Sequence, residues 1–331
     1  MAKIVRFHQL GGPEVLKIEE VPTQEPKKGE VRLRVKTIGL NRSESMFMHG
    51  YYLEPTKLPA KLGYEASGVV TAIGADVDPT WLDKSVSTIP SFSLNQYGVL
   101  GDEAIVPAHA VAEYPGKLNP TEATSIWMQY MTAYGALLEL GQLKKSEFVL
   151  ITAASSSAGL AAIETVKAEQ AIAIATTRKR DKRDELLAAG ADHVIVTEEE
   201  DLVARVKAIT NGAGARLIFD PIAGSLLEKL AEAAAQGAMI IEYGWLSLTP
   251  TPFPVVPALT KALNIRGYWL TETVYNPETF ARAKKYVYDR IKGGHFRPRI
   301  AKTFRFEDVV KAYQYLESNQ QIGKVVLTVG A

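Results

Sequence analysis

The segment from Phe148 to Lys167, FVLITAASSSAGLAAIETVK, constrains the fold of this chain more than any other stretch. It begins with four apolar residues, 148–151, which are typical of a strand buried on both faces of a parallel sheet. A run of small residues follows, and apolar residues then recur at helical spacing. Strand, tight turn and helix predict the first half of a βαβ unit, whose helix N-terminus directs free N–H groups at the turn. The segment is therefore a candidate pyrophosphate-binding site.

The turn departs from the dinucleotide-binding pattern G-x-G-x-x-G, because the same register reads ASSSAG from Ala154 to Gly159. Only the last glycine remains, but alanine and serine are small, and serine hydroxyls donate to phosphate oxygens. The alternative is a buried strand and helix joined by a serine-rich connector. We expect phosphate contacts from the residues of this turn, namely Ser155, Ser156, Ser157, Ala158 and Gly159.

The next predicted strand, residues 171–177, occupies the return position of the βαβ unit and runs into the basic segment 178–183. NAD enzymes usually place an acid at the end of this strand for the ribose 2′-hydroxyl, whereas NADP enzymes supply cations. No acid precedes Arg178, so the sequence predicts NADP(H), with Thr176 at the strand end and Arg178 and Lys182 at the 2′-phosphate. The alternative is a solvated first helical turn, but basic residues at a helix N-terminus oppose its dipole.

Length and composition narrow the class of protein. The 331 residues are 47% hydrophobic, which suits two domains, and the net charge of +1 with both signs interspersed suggests no nucleic-acid or membrane partner. The absence of cysteine excludes disulfides, thiolate metal sites and cysteine nucleophiles. No apolar run has the length of a signal peptide or a membrane span, so we expect a cytoplasmic protein.

The character of the chain changes twice. Short strands and turns dominate up to about residue 120, strands and helices alternate from Phe148 onward, and the tail after Pro277 again suits the first domain. Such alternation is typical of a doubly wound parallel sheet. We predict an α/β protein with a Rossmann domain at 125–265, inserted in a β-rich domain formed by 1–124 and 266–331. Residues 264–270 predict a sixth, edge strand, and an uncovered edge favours a homodimer.

Several short motifs occur along nearly the whole chain. They are GGPEVL at 11–16, GLN at 39–41, GYEASGVVTAIG at 63–74, MTAY at 131–134, FDPIAG at 219–224 and GKVV at 323–326, besides the serine-rich turn. Together they resemble the medium-chain dehydrogenase/reductase superfamily, in its zinc-free quinone oxidoreductase (zeta-crystallin-like) branch. The resemblance implies that the β-rich domain is GroES-like and binds a small-molecule substrate, with the active site in the cleft between the domains.

The resemblance also argues against a catalytic metal. Zinc alcohol dehydrogenases of this superfamily hold zinc with a cysteine, a histidine and a third cysteine or acid, but Asn41 and Tyr64 stand at the first two positions here, and the four-cysteine lobe is missing. A tetrahedral zinc site needs converging thiolate or imidazole ligands, and the five histidines are scattered singly. For Glu65, the acid kept from the zinc signature, we expect a structural role as an acceptor for backbone N–H groups.

Hydride transfer needs an acceptor carbon about 3–3.5 Å from the nicotinamide and a group that stabilises the developing oxyanion. Without a metal, side-chain donors must take that part. The resemblance places Asn41 and Tyr52 in the substrate cleft, where Asn41 would donate an amide N–H. Tyr52 would donate its phenolic proton, as the matching tyrosine of 2-enoyl thioester reductases does. The alternative is that Tyr51, Tyr52 and Tyr64 only pack the cleft wall.

Further cofactor contacts come from the resemblance and from strand ends. Tyr130 and Thr132 match residues near the nicotinamide carboxamide, and Lys324 matches a position near the cofactor, although a lysine on a strand edge is usually solvated. Ligands of open α/β sheets bind at the carboxyl ends of strands. This rule adds Ala223, Tyr243 and Gly244, with Asp220 as either a ligand neighbour or a helix cap.

These observations predict an NADPH-dependent, zinc-free oxidoreductase that transfers hydride to a quinone or an α,β-unsaturated carbonyl. One alternative is a 2-enoyl thioester reductase, which would need room and cations for a coenzyme A or carrier-protein arm. Another is an NADPH-binding protein of low turnover, since relatives of this branch include lens crystallins. The incomplete glycine pattern of the turn keeps that alternative open.

Overall fold

The computed structural model describes residues 1–330, which divide into two compact units. Unit 1 contains residues 1–128 and the chain from Pro298 onward, and unit 2 contains residues 129–297. Unit 2 is therefore an insertion within unit 1. This arrangement agrees with the predicted fold class, a Rossmann domain inserted in a β-rich domain.

The strands of the described residues, in chain order, are short in both units. They are β1 (Ala2–Phe7), β2 (Lys17–Val21), β3 (Glu30–Leu40), β4 (Ala60–Lys61), β5 (Glu65–Ile73), β6 (Ser85–Thr88), β7 (Glu103–Pro107), β8 (Val111–Glu113), β9 (Phe148–Ile151), β10 (Ile172–Thr177), β11 (His193–Val196), β12 (Ala215–Asp220), β13 (Ala234–Glu242), β14 (Asn264–Gly267), β15 (Ile300–Arg305) and β16 (Lys324–Thr328).

The helices lie mainly in unit 2. They are α1 (Arg42–His49), α2 (Pro120–Ala123), α3 (Trp127–Ala133), α4 (Ser157–Ala168), α5 (Arg183–Ala188), α6 (Leu202–Ile209), α7 (Leu226–Ala233), α8 (Val255–Thr260), α9 (Thr271–Val274), α10 (Pro277–Lys292) and α11 (Val309–Glu317). A π-helical segment, Tyr134–Leu140, continues α3. Over residues 1–330, every helix is too short or too polar to cross a bilayer.

The sheet of unit 1 brings together strands from the two ends of the chain. Its order is β15-β16-β3-β5-β6-β8, and β7 also pairs with β3. In the antiparallel pairing, Leu40 lies opposite Val325 and Gly39 opposite Glu65. A Cβ atom on Gly39 would come within 2.4 Å of the Thr124 carbonyl oxygen, so only glycine fits here. This register places the residues that follow β3 beside the starts of β5 and β16.

The sheet of unit 2 has the order β11-β10-β9-β12-β13-β14, and every pairing in it is parallel. Buried aliphatic residues such as Leu150, Ile174 and Ile218 form its core, as the unbroken apolar runs predicted. The strand order reverses between β9 and β12, which is where ligands bind in open α/β sheets. Strand β14 lies at the sheet edge, as predicted.

The second predicted domain border, at residue 265, falls inside β14, and the chain stays in unit 2 until residue 297. The reason is α10 and the segment after it. The Tyr286 hydroxyl donates to Glu169 at 2.7 Å, and the ring of Phe296 stacks on that of Tyr130 with centroids 4.3 Å apart. The pattern of α10 predicted a helix, but amphipathic spacing does not tell which unit its apolar face contacts.

Candidate active site

The turn between β9 and α4 forms the predicted phosphate cradle. Ser156 is the N-cap of α4, and its hydroxyl accepts the N–H of Gly159 at 3.0 Å. The N–H groups of Ser157 and Ala158 belong to the first helical turn, so they have no carbonyl partner within the helix. Together with the positive end of the dipole of this twelve-residue helix, they provide donors for an anion.

Close packing explains which glycine of the turn is kept. A Cβ atom on Gly159 would lie 2.6 Å from Cα of Ala154 and 2.7 Å from the carbonyl oxygen of Ala153. Ala153 adopts a left-handed conformation with φ of 44°, which costs a non-glycine residue about 1–2 kcal/mol. The N–H of Ala154 donates to the carbonyl of buried Thr176, so the predicted residue Thr176 ties the turn to the end of β10.

The basic segment after β10 reaches the cradle through Lys182, whose Nζ donates to Oγ of Ser155 at 3.3 Å. Burial lowers the pKa of Lys182, Asp181 opposes that shift, and the nearby Arg178 lowers the pKa further. Within residues 1–330, no carboxylate forms an ion pair with Arg178, whereas Arg180 pairs with Glu199. Two cations that repel each other beside a helix N-terminus fit a dianionic phosphate.

Asp220, at the carboxyl end of β12, organises the turn that follows. Its Oδ2 accepts the N–H groups of Ile222 at 3.1 Å and Ala223 at 2.7 Å, and the Thr152 hydroxyl donates to Oδ1. Ala223 and Gly224 both have positive φ values, 56° and 64°. Helix α7 has Ser225 as its N-cap, so Asp220 fixes a turn rather than capping a helix. Ala223 is thereby held at the carboxyl edge of the sheet.

Glu242, at the end of β13, lies in register with Asp220. Burial raises the pKa of Glu242 to about 9, and the charge of Asp220 adds to the shift. The ring of Tyr243 stacks on Phe219 with centroids 3.9 Å apart, and burial raises the pKa of Tyr243. A Cβ atom on Gly244 would meet the Pro221 carbonyl oxygen at 3.1 Å. The sequence analysis missed Glu242, although an acid ending each of two adjacent strands was a usable signal.

In unit 1, a buried polar cluster lies where β3, β5 and β16 meet; it consists of Asn41, Glu44, Glu65, Tyr313 and Lys324. Nζ of Lys324 forms an ion pair with Oε2 of Glu65, and both side chains are fully buried. The same ammonium donates to Oδ1 of Asn41 at 2.6 Å. Lys324 is therefore a buried partner of two cluster residues, and the solvated alternative is wrong.

The other carboxylate oxygen of Glu65 connects the cluster to α3. Oε1 accepts the N–H groups of Trp127 at 3.0 Å and Met128 at 2.9 Å, the first two residues of that helix. The structure thus agrees with the expected role of Glu65 as an acceptor for backbone N–H groups. A negative charge at this end of the helix is favoured by the helix dipole.

Asn41 uses its whole side-chain amide within the protein. Its Nδ2 lies 3.1 Å from Oε1 of Glu44, 3.3 Å from Oε2 of Glu65 and 3.3 Å from the carbonyl oxygen of Gly39. Its Oδ1 accepts from Lys324, and the residue is buried. Because both N–H hydrogens have protein acceptors, this geometry argues against the predicted donation from Asn41 to a substrate.

Glu44 is buried and accepts four hydrogen bonds from three residues. They come from N–H and Nδ2 of Asn41, from N–H of Tyr64 at 2.9 Å, and from the hydroxyl of Tyr313 at 2.6 Å. Burial raises the pKa of Glu44, and the bonds from Tyr313 and Asn41 oppose that rise. The sequence analysis missed Glu44, although an acid three residues after Asn41 is the signature of a capping box, which α1 has.

Tyr52 and Tyr64 lie together in unit 1. Tyr52 is half-buried, whereas Tyr64 is buried with its ring beside Phe92 at a centroid distance of 5.7 Å. The side chains of Tyr52 and Tyr64 are hydrogen-bonded to each other. Of the residues predicted to touch a substrate, Tyr52 is thus the one whose phenol remains partly accessible.

Tyr130 packs inside unit 2, against the prediction that it contacts the nicotinamide. Its ring is buried on Phe296, and its hydroxyl donates to Oε2 of Glu164 at 2.5 Å. The N–H of Arg297 points at the same carboxylate, and burial raises the pKa of Glu164 to about 7. These contacts argue for a packing role for Tyr130. Thr132 lies one turn of backbone further along α3 and is 8% exposed.

Comparison with known proteins gives consistent results for both units. The family model for the alcohol dehydrogenase GroES-like domain matches residues 27–116, and that for zinc-binding dehydrogenases matches residues 158–286. A quinone oxidoreductase of Salmonella typhimurium is 29% identical over 99% of each chain. A 2-haloacrylate reductase from a Burkholderia species is 28% identical, covering 99% of this chain and 98% of its own.

A solved structure shows the same similarity. The Escherichia coli quinone oxidoreductase complexed with NADPH matches with a TM-score of 0.90 and 27% identity, over 99% of this chain and all of its own. The chain belongs to the medium-chain dehydrogenase/reductase superfamily. Within that superfamily it falls in the quinone oxidoreductase branch, so the predicted family and fold class are confirmed.

The zinc of the matched family's name has no obvious counterpart among the residues of this superfamily member. Asn41 and Tyr64 occupy the positions at which the resemblance places zinc ligands, and the chain has no cysteine. Within residues 1–330, no three or more histidine, aspartate or glutamate side chains are grouped to hold a metal ion. Lys324 instead supplies a positive charge next to Asn41 and Glu65.

Replacing Lys324 with methionine should destabilise unit 1, because Glu65 would keep a buried charge without its partner. We expect the free energy of unfolding to fall by about 3–5 kcal/mol, and Lys324→Arg to lose less. Urea unfolding followed by tryptophan fluorescence would measure both. The matched control is Lys28→Met, which breaks the exposed pair with Asp76 and should cost about 0–1 kcal/mol. Equal losses for the Lys324 and Lys28 variants would contradict the assignment.

The stability of unit 2 should fall as the pH rises from about 5 to 9, since the folded pKa of Glu242 is about 9 and that of an ordinary glutamate is 4.5. In that interval the folded protein holds a proton that the unfolded chain releases, so each pH unit costs up to about 1.4 kcal/mol. Glu242→Gln should flatten this decline, with Glu228→Gln on α7 as a control. Thermal melts at several pH values would test it, and an unchanged slope in Glu242→Gln would contradict it.

Proposed function

We propose that this chain is an NADPH-dependent reductase that delivers hydride to a quinone or to an α,β-unsaturated carbonyl, without the help of a metal ion. The observation that carries the proposal is the contact of Lys182 with Ser155, which joins a cationic pair to a phosphate cradle. This arrangement accounts for two phosphate groups of one dinucleotide. A single phosphate at the helix N-terminus would leave Arg178 and Lys182 without a purpose.

Bound NADPH would supply the hydride. The N–H groups of Ser157 and Ala158 fit its pyrophosphate, and Arg178 and Lys182 fit its 2′-phosphate. Ala223, Tyr243 and Gly244 lie at the carboxyl ends of β12 and β13, where the rest of the dinucleotide would run. The Escherichia coli relative was crystallised with NADPH, which supports the same cofactor here.

Tyr52 is the residue that we assign as proton donor. Reduction of a conjugated carbonyl adds hydride at the β-carbon and a proton at the α-carbon, and a half-buried phenol can supply that proton and regain it from water. The name of the Burkholderia relative, a 2-haloacrylate reductase, denotes an unsaturated acid and supports a conjugated substrate. Asn41, whose amide is engaged in the buried polar cluster, serves to hold that cluster together.

The substrate class is tested by following NADPH oxidation with an alkenal, an ortho-quinone, crotonyl-coenzyme A and a saturated alcohol in reverse. We expect turnover of the alkenal or the quinone, and a decrease of about 10²-fold or more for Tyr52→Phe on the alkenal, the scale of general acid catalysis. Tyr51→Phe, which removes a neighbouring exposed hydroxyl, should keep its rate. Turnover of crotonyl-coenzyme A alone would favour the thioester reductase, and no turnover despite NADPH binding would favour the low-turnover alternative.

Cofactor choice is tested by Arg178→Ala. Loss of one of two cations at the 2′-phosphate should raise the Michaelis constant for NADPH about tenfold or more and leave that for NADH unchanged. Arg180→Ala is the matched control, because Arg180 is in the same segment and is already paired with Glu199. Equal Michaelis constants for NADPH in the wild type and in Arg178→Ala would contradict the assignment of Arg178.

We also propose that the protein is a homodimer that pairs through β14, the edge strand of unit 2. Helix α8 next to this strand buries none of its residues, and Phe253, Val256 and Leu259 are 62%, 70% and 77% exposed. A short helix draws its stability from packing, so a second copy of the chain would cover this face. Light scattering should give twice the chain mass of 36.2 kDa, and Val256→Glu with Leu259→Glu should give monomers. A monomeric wild type would rule out the dimer.

A further inference from the structure

We propose that Tyr64 is a positioning residue for Tyr52, whose oxygen it supports with a hydrogen bond as Tyr52 gives up its proton. The inference rests on the proposed function and extends it, because it explains why a buried tyrosine stands where relatives with zinc have a ligand. A phenol in that place has no use as a metal ligand in this site. Its hydroxyl instead meets a second phenol that is partly accessible.

The main chain and the ring of Tyr64 are both fixed. Its N–H donates to Oε1 of Glu44 at 2.9 Å, and its carbonyl accepts from the hydroxyl of Thr88 at 2.9 Å. The ring is 6% exposed and lies beside Phe92. Glu44 in turn belongs to the buried polar cluster that Lys324 holds together. The Tyr64 hydroxyl therefore has a defined position, so little ordering is needed when it bonds to Tyr52.

The surroundings also decide which tyrosine keeps its proton. Burial is the largest cause that raises the pKa of Tyr64 well above its ordinary value, and Tyr52, Glu54 and Glu44 add to that rise. Tyr64 therefore remains a neutral O–H donor at any pH at which an enzyme works. Tyr52 is the more accessible of the two, so it is the one that exchanges its proton with substrate and water.

The proton step balances as follows. Hydride from NADPH forms a C–H bond at the β-carbon, and the electron pair of the double bond takes the Tyr52 proton at the α-carbon. The negative charge then lies on the Tyr52 oxygen, where the O–H of Tyr64 stabilises it. A water molecule returns a proton to Tyr52. Hydrogen bonds to a charged oxygen are worth more than those to a neutral one, so Tyr64 contributes most at the step in which Tyr52 is ionised.

The test is Tyr64→Phe, with kcat/KM for the alkenal measured from pH 6 to pH 10.5. Loss of a hydrogen bond to a charged oxygen should lower the rate at pH 7 about tenfold or more. The alkaline limb, at which Tyr52 loses its proton, should move to higher pH, because the Tyr52 phenolate has lost a donor. Tyr97→Phe is the matched control: Tyr97 also packs on Phe92, but its hydroxyl donates to Glu30.

A double variant separates positioning from packing. If Tyr64 acts through Tyr52, Tyr64→Phe should have no further effect in the Tyr52→Phe background. Equal effects of Tyr64→Phe in both backgrounds, or an alkaline limb that stays in place, would overturn the inference. If instead Tyr52→Phe alone keeps the full rate, the proton-donor assignment of the proposed function fails, and the two failures are thereby distinguished. Should Tyr64→Phe unfold, Glu44→Gln provides a second measurement, since loosening the Tyr64 main chain should also move the limb.

Discussion

The fully buried ion pair between Lys324 and Glu65 is the interaction on which unit 1 depends. A lone charge at this depth costs several kcal/mol, so the pair is stable only when β16, β3 and β5 lie in the correct register. Lys324 arrives from the last strand, and Glu65 from the middle of the amino-terminal half. The pair therefore ties both ends of a discontinuous unit together. Through its second oxygen, Glu65 also fixes the first turn of α3, at the point where the chain leaves unit 1.

This arrangement suggests how a member of a superfamily known for zinc enzymes works with other means. A metal ion organises its ligands and carries positive charge, and an ammonium does both if its partners converge on it. In this chain the partners are Asn41 and Glu65, and Glu44 extends the network to the main chain of Tyr64. What the ammonium cannot do is act as a Lewis acid toward a substrate. The proposal therefore assigns that task to phenol protons, which suit a conjugated acceptor better than an alcohol.

Much of the fold was readable from the sequence, because apolar runs and helical spacing are local signals. They gave the parallel sheet, the edge strand β14 and the serine-rich turn at the N-terminus of α4. The contacts of single side chains depend on register and on distant residues, which periodicity does not encode. For this reason the burial of Lys324, the full engagement of Asn41 and the packing of Tyr130 on Phe296 all differ from what their positions suggested. The unit border at residue 297 was missed for the same reason.

The central claim is that fixed side chains, and no metal ion, support hydride delivery from NADPH to a conjugated acceptor. The most direct measurement is the rate of NADPH oxidation with an alkenal, before and after prolonged dialysis against a strong chelator, with metal content determined on the same samples. The account predicts an unchanged rate in protein that carries only substoichiometric metal. Loss of turnover on chelation, with recovery when one equivalent of zinc is added, would contradict it.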